Sequence, residues 1–511
     1  MNEFAVTTIS RNGTLCGIAT KVSSDWKSHF RENGPFRMST NHAFSGNSVR
    51  LDGFSELDPA VNDGSAFDDA GAETVVSLQL HSSRLILGNQ STAMLAHPLM
   101  WIAAGTSVFL TAWLFPSSLY AQFFQTESRV FLDLRSFLFS AACVLLTCIG
   151  LWVGVGGRFF DAPLRFAAGT DLDEAPTTRI SLLLLMIAGN ITSVALFFRA
   201  GGISAVIASL KGETLLNVGL LDVVQNSGGM LWIAALLAPA AFLPLAFQLY
   251  RSQPGAAWTR LLVIVFFGTY VVAALLASRR SLFASPLLGL LIVYLVWPSR
   301  RGLTQVRAIS VCAIAAIFVV VLFLSLGAIR RGWNGPQDVV SEPLRYLITP
   351  YNTQALMIHG ELVLPGASRG YYWTEWIWKF PLLDNVLHLE EWRSKFLGEK
   401  GLHGVNERYG VLKSQGVQTV TSLPAFACSF FDFGWFGPLP FFLTGWIAGL
   451  SWRGFLRGYS CQLLLFPLIA YSFVEWRCNL LFPSLHSDYV LMLMCVIKSG
   501  LLLETRKMRR T

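Results

Sequence analysis

An all-α polytopic membrane protein is the fold class this sequence predicts, and three observations predict it. Of 511 residues, 53% are hydrophobic and only 14% are charged, with positive mean hydropathy, a balance too apolar for an ordinary soluble enzyme. The charges are segregated, so that long apolar runs alternate with short polar turns. Several of those runs reach the roughly 20 residues needed to cross about 30 Å of hydrocarbon.

Taken in order, residues 1–93 are rich in Ser, Asn, Gly, Asp and Thr and too poor in apolar residues to build a core, which predicts a disordered cytoplasmic tail. They contain no basic segment followed by an apolar run and a small-residue cleavage site, so no secretory signal is read there. Met94, just before the first apolar run, is an equally good start. Residues 94–511 then form one transmembrane domain of about ten helices, over 97–116, 136–156, 180–199, 229–249, 261–277, 281–297, 307–328, 435–452, 461–481 and 488–503. Their interiors contain many Gly, Ser and Thr residues, which allow close helix approach.

Orientation follows from the basic residues of the short loops. Arg251 and Arg260, then Arg300, Arg301 and Arg307, then Arg453 and Arg457, and finally Arg506, Lys507, Arg509 and Arg510 alternate consistently as cytoplasmic. Both termini are therefore expected inside. The segments near 117–135, 200–228, 278–280, 329–434 and 482–487 are expected outside, and 329–434 is by far the largest.

Several functions are excluded. The net charge of +8 is spread over loop ends and helix flanks rather than gathered in a patch, which argues against nucleic acid. Eight cysteines form no CxxC pair, and only Cys428 lies in the large loop, so that loop has no internal disulfide and no thiolate metal site. No HExxH occurs. No GxxxxGK[ST] occurs either, and Gly201-Gly202 follows no strand, which argues against an ATP-driven pump. Asp432-Phe433-Gly434 lacks the other kinase elements. Asp171-Leu-Asp173-Glu174 could hold a metal-bound nucleotide sugar, but it sits beside an Ala-Pro-Thr-Thr turn without a strand pattern, and a solvated turn is the reading.

The informative residues are charges close to hydrocarbon. Arg279 and Arg280 stand in a tight outward hairpin, against the positive-inside bias, where an arginine is costly without an anionic partner. Snorkelling to headgroups is the alternative. Glu475 and Arg477, read as helical, lie about 200° apart and cannot neutralise one another. Each then needs a partner on another helix or in a substrate. The large loop adds Arg330, Arg331, Arg345, Arg369, Arg393 and Arg408, whose planar guanidinium groups fit pyrophosphate or carboxylate oxygens, although for any single one a solvated loop charge is the preferred reading.

Tyr351 and Asn352 follow Arg345-Tyr346 and suit sugar hydroxyls, since each can both donate and accept. The run Tyr371–Trp378 could stack on sugars or form an interfacial belt, and the belt is preferred. Asp432 could be an N-cap of the helix that follows it or a general base, with His403 and His486 as weaker candidates for the base.

In this pattern the chain resembles the Wzy-type O-antigen and exopolysaccharide polymerases, also called oligosaccharide repeat-unit polymerases. The residues that carry the likeness are Ser278-Arg279-Arg280 at an outer helix end, Arg345-Tyr346 with Pro350-Tyr351-Asn352, and Thr419-Val-Thr421-Ser422 leading to Phe431-Asp432-Phe433-Gly434-Trp-Phe-Gly437. It spans about residues 97–505, by architecture more than by letters, and the tail is not part of it. The resemblance implies a metal-independent, cofactor-free membrane glycosyltransferase of the bacterial inner membrane. Its substrate would be an undecaprenyl-pyrophosphate-linked oligosaccharide on the periplasmic face, its surroundings membrane lipid, and its partners a chain-length regulator and a flippase.

On that basis Arg279, Arg345 and Arg477 are assigned to the pyrophosphate, Asp432 or Glu475 to the base, and Tyr351 and Asn352 to sugar positioning. Arg280, Arg330, Arg331 and His403 complete the substrate contacts. An O-antigen ligase shares this chemistry. A transporter of an anionic solute would instead show paired broken helices in two related halves, and no internal repeat is seen. A non-catalytic subunit of a polysaccharide assembly machine is the remaining alternative.

Overall fold

The computed structural model describes residues 94–119, 132–157, 171, 175–199, 201–210, 241–245, 280–296, scattered positions between 306 and 325, 338–362, 370–378, 386–389, 391–392, 423–476 and 485–508. The chain divides into two units, Met1–Ala72 and Glu73–Thr511, and every described residue belongs to the second. The predicted tail, the span 261–277 and most of 229–249 and 307–328 therefore lie outside the described residues.

Among the described residues the regular structure is helical. Helix α1 runs Pro98–Leu114, α2 Leu134–Val155, α3 Pro176–Arg199, α4 Gly202–Leu210 and α5 Arg280–Val296. Then come α6 Asp338–His359, α7 Tyr371–Trp378 and α8 Ala425–Phe433. A short 3₁₀ turn, Gly434–Phe436, leads to α9 Leu439–Leu456, followed by α10 Ser460–Val474 and α11 Leu485–Met508.

Helices α2 and α3 are long and apolar enough to cross a membrane by length and composition. Only 39% of the most apolar window of α2, and 17% of that of α3, is buried within the protein. These are therefore not enclosed core helices. Leu138, Leu145 and Ile149 on α2 and Leu184 and Ile191 on α3 point outward.

Local chemistry sets the helix ends. Asp133 caps α2, its carboxylate accepting the Ser136 amide at 2.9 Å while the Ser136 hydroxyl returns to the Asp133 amide, a reciprocal capping box. Gly156 closes the same helix in the left-handed conformation, at φ 88°. His97 caps α1, and Pro98 fills the first turn, where no amide partner is needed.

The tightest packing joins α2 to α9, which run parallel. Gly150 and Gly154 on α2 meet Gly445 and Gly449 on α9, four residues apart in each helix. A Cβ on Gly150 would run into the Phe442 carbonyl, and one on Gly445 into the Thr147 carbonyl. A Cβ on Gly449 would lie 2.6 Å from the Gly154 carbonyl carbon and 2.7 Å from its Cα. The backbones thus touch along a seam of small residues, as membrane helices favour. Gly105 on α1 makes a similar approach to the Phe473 carbonyl of α10.

The segment 329–434, read from sequence as a polar loop, contributes helices α6 and α8 to the core, while its described residues around 386–392 are largely exposed. Ile348, Tyr351, Ala355 and Ile358 of α6 are buried at spacings of three and four residues, and Ala425, Phe426 and Ala427 of α8 are fully buried. Phe426 lies 5.3 Å from both Phe441 and Trp476, and Tyr351 lies 5.6 Å from Trp113 and 5.8 Å from Phe109. Two further expectations are corrected. The re-entering helix, expected over 435–452, starts only at Leu439, after the 3₁₀ turn, and runs to Leu456, and a separate short helix, α8, precedes the turn. The helix expected to continue to 481 ends at Val474, where the chain turns so that the Trp476 carbonyl accepts the Ala425 amide at 2.7 Å.

Candidate functional site

The residues singled out from sequence fall into three groups. Arg279, Arg330, Arg331, His403 and Arg477 lie outside the described residues. Arg280 is the first residue of α5, and Arg345 lies in α6. Asp432, Glu475, Tyr351 and Asn352 are described with their surroundings.

Pro350, Tyr351 and Asn352 belong to the single 22-residue helix α6 rather than to a loop. Tyr351 is 1% exposed, and its ring is enclosed by Phe109, Trp113 and Phe426. It is a core residue that fixes the helix in place. Asn352 is also buried, as are Thr349, Thr353 and Gln354 of the same helix, a polar run that winds round α6 rather than lining one face. On the Gln354 side, Ser136 and Ser140 of α2 are fully buried, and Gln354 Nε2 donates to Ser140 Oγ at 2.7 Å.

The hydroxyl of Thr349 and Oε1 of Gln354 have no hydrogen-bond partner among the described residues. Unsatisfied buried polar atoms are costly and uncommon in folded proteins. The sequence carries a signal for this polar run, since Thr-Pro-Tyr-Asn-Thr-Gln interrupts a stretch of apolar residues and extends beyond Tyr351 and Asn352.

Asp432 is nearly buried, one residue before the end of α8. Its two carboxylate oxygens accept the backbone amides of Tyr372 at 3.3 Å and Trp373 at 2.9 Å. These are orphan donors of the first turn of α7, so the carboxylate caps a helix, and favours its positive end, from about 60 residues away. The expected cap of the following helix is not formed: Pro438 stands at the start of α9, and the helix that Asp432 caps is α7. The same corner is tied by Trp373 Nε1 donating to Ser429 Oγ at 3.1 Å, while Ser429 Oγ donates to the Gly437 carbonyl. The aromatic run 371–378 is therefore in part interior: Tyr371 and Tyr372 are buried, and Trp373 packs edge-on to Phe441 at 5.4 Å.

Glu475 follows α10 as its C-cap, at φ −99° and ψ 24°, and is half-buried. The helical angle between it and Arg477 used in reading the sequence does not apply, because the helix has already ended.

Two further carboxylates cap helices distant in sequence. Asp171 Oδ1 accepts the Ser460 amide at 3.0 Å and also takes the Ser460 hydroxyl, at the start of α10. It is an engaged cap rather than the solvated turn expected for that acidic stretch. Glu504 accepts the amides of Thr177 and Thr178, at 2.8 and 3.2 Å, at the start of α3.

At the opposite ends of the helices, His359 Nε2 lies 3.2 Å from Asp133 Oδ2, joining the end of α6 to the start of α2. Burial alone would raise the Asp133 pKa. The amide and hydroxyl of Ser136, the charge of His359 and the Arg135 amide outweigh it and hold the carboxyl below its ordinary value. Among the described residues no cluster of three or more His, Cys, Asp or Glu side chains is arranged to hold a metal.

Comparison with protein-family models, with curated proteins and with solved structures found no match to this chain.

Proposed function

We propose that this chain is an oligosaccharide repeat-unit polymerase of a bacterial inner membrane, acting on undecaprenyl-pyrophosphate-linked oligosaccharides at the periplasmic face, with about ten membrane helices and both termini in the cytoplasm. The observation that carries the proposal is the packing of α6 on α8. Those helices hold two of the motif segments on which the resemblance rests, Arg345 to Asn352 and Phe431 to Gly434, some 80 residues apart in the chain. Both helices meet Phe109, α6 through Tyr351 at 5.8 Å and α8 through Phe426 at 6.2 Å.

The long-range polar contacts agree with the proposed grouping of segments on two sides, whichever side is outside. Asp133 with His359 joins two segments assigned to the outside, while Asp171 with Ser460 and Glu504 with Thr177 join segments assigned to the inside. No bond among these crosses the assigned faces.

In the reaction, the acceptor sugar's hydroxyl oxygen bonds to the anomeric carbon of the donor chain. The bond from that carbon to the pyrophosphate oxygen breaks, and the carrier leaves as its pyrophosphate. Arg279, Arg345 and Arg477 stabilise the charge that develops on that leaving group, as preorganised cations do in a site shielded from water. Glu475 takes the acceptor's proton. Asp432 is the weaker candidate of the pair, because both of its oxygens already hold backbone amides. Asn352 offers neutral donors and acceptors for sugar hydroxyls, and Tyr351 secures the helix that presents it.

The test is polymerisation by the purified full-length protein in lipid vesicles, supplied with lipid-linked repeat units and read as a ladder of product lengths. Arg279→Ala, Arg345→Ala and Arg477→Ala should each shorten or abolish the ladder. Unchanged length and yield in all three would overturn the assignment, and no ladder from the unaltered protein would overturn the function.

A further inference from the structure

The turn between α8 and α9 has the sequence Phe433-Gly434-Trp435-Phe436-Gly437, and its geometry pushes two aromatic side chains outward. Gly434 takes φ +56° and ψ −132°, a backbone region closed to residues with a Cβ, which swings the chain out of α8. Gly437 lets it return: a Cβ there would lie 2.7 Å from the Ser429 carbonyl oxygen and 2.9 Å from the Phe139 ring. Between the glycines, Trp435 is 50% and Phe436 74% exposed.

These rings do not stand alone. Leu439 at the start of α9 and Leu134 and Leu138 at the start of α2 are also well exposed. The aromatic turn leads into α9, where Leu443 follows Leu439 on the exposed side, and on α2 Leu145 and Ile149 continue the exposed stripe begun by Leu134 and Leu138. At about 1.5 Å per residue the 22 residues of α2 give this stripe a length of roughly 33 Å, close to the hydrocarbon thickness of a bilayer. At the same end the Arg135 guanidinium lies over the Trp435 ring, 5.0 Å from its centroid. An indole, a phenyl ring and an arginine at the end of a membrane-length apolar face are the chemistry of the headgroup layer.

We propose that the Gly434–Gly437 turn is a membrane anchor. Trp435 and Phe436 insert among phospholipid headgroups of the outer leaflet, and Arg135, held by the Trp435 ring, meets the lipid phosphates. The anchor fixes the height of α8, and with it the Asp432 carboxylate that caps α7, relative to the bilayer surface. It rests on the membrane-spanning part of the proposed function and not on the polymerase chemistry, so loss of either leaves the other open to its own test.

The experiment places a photoactivatable benzophenone amino acid at Phe436 in the full-length protein, in nanodiscs of phosphatidylethanolamine and phosphatidylglycerol, with adducts identified by mass spectrometry. At so exposed a position the substitution leaves the fold intact. The same probe at Glu361, an exposed polar position just beyond α6, serves as the comparison. Adducts of phospholipid mass at 436 should exceed those at 361 by about tenfold, the preference expected for an apolar ring that gains lipid contact. The adduct yield should also stay the same in excess inorganic phosphate. Adducts at 436 to a second copy of this chain, or the absence of lipid adducts, would overturn the proposal.

Discussion

Replacing Gly449 with valine tests the close seam between α2 and α9. A Cβ there would sit 2.6 Å from the Gly154 carbonyl carbon and 2.7 Å from both the Gly154 Cα and the Val155 nitrogen, all of them backbone atoms that no rotamer change can move. Ordinary contact needs about 3.5–4.0 Å, so the helices must part by about 1 Å, and a gap of that size forfeits roughly a quarter to a half of each dispersion contact along the seam. Overpacking of this kind costs about 1–3 kcal/mol. The assay is thermal unfolding of the full-length protein in detergent, followed by loss of soluble monomer, with a fall in midpoint of roughly 2–4 °C per kcal/mol. Leu450→Val, at an exposed position next along α9, is the control and should leave the midpoint unchanged. If Gly449→Val were as stable as the unaltered protein, the two helices would not approach as described, and the account of the fold's tightest interface would fail.

Three further outcomes are expected. Asp432→Ala leaves two amides of α7 without an acceptor and should destabilise by about 0.5–2 kcal/mol, while Asp432→Asn, which keeps one acceptor oxygen, should cost less. Glu475→Gln should lower polymerisation by about 10²–10⁴-fold, the range of general acid–base contributions, as read from the product ladder. The Asp133 pKa is lowered in the folded protein, so its contribution to stability is complete above the ordinary value of 3.8 and is lost as pH falls through the native pKa. Asp133→Asn should therefore be less stable than the unaltered protein at neutral pH and approach it in strong acid, as measured by thermal midpoint against pH.

The long apolar helices were legible because their signal is local. Leu134–Val155 and Arg280–Val296 fall within two residues of the expected spans, and Asp133 with Ser136 is a capping box that can be read directly. Helix α6 was not legible. Pro343 and Pro350 read as breaks, and Thr349, Asn352, Thr353 and Gln354 lower its hydropathy, so the stripe of Ile348, Tyr351, Ala355 and Ile358 was hidden in apparent loop.

The candidate site was legible as a set of residue types and not as an arrangement. Nothing near Asp171 points to Ser460, 289 positions later, and nothing near Asp432 points to the amides of Tyr372 and Trp373. A carboxylate that caps a remote helix has the same letters around it as one that meets water or substrate. Only the folded chain separates the roles. For Glu475, sequence assumed a helix running on to 481, whereas the bond from the Ala425 amide to the Trp476 carbonyl depends on that helix stopping.

The remote caps also bear on how the molecule is assembled. Asp171 and Glu504 reach helix starts 289 and 327 positions away in the chain, and in the proposed topology each can do so only when both segments have been delivered to the same side of the bilayer. There, a helix threaded in the wrong direction would strand its acidic partner across the hydrocarbon and leave bare amides at the far end. Correct insertion would thereby be rewarded at the helix ends, and an inverted intermediate would have nothing to hold it closed.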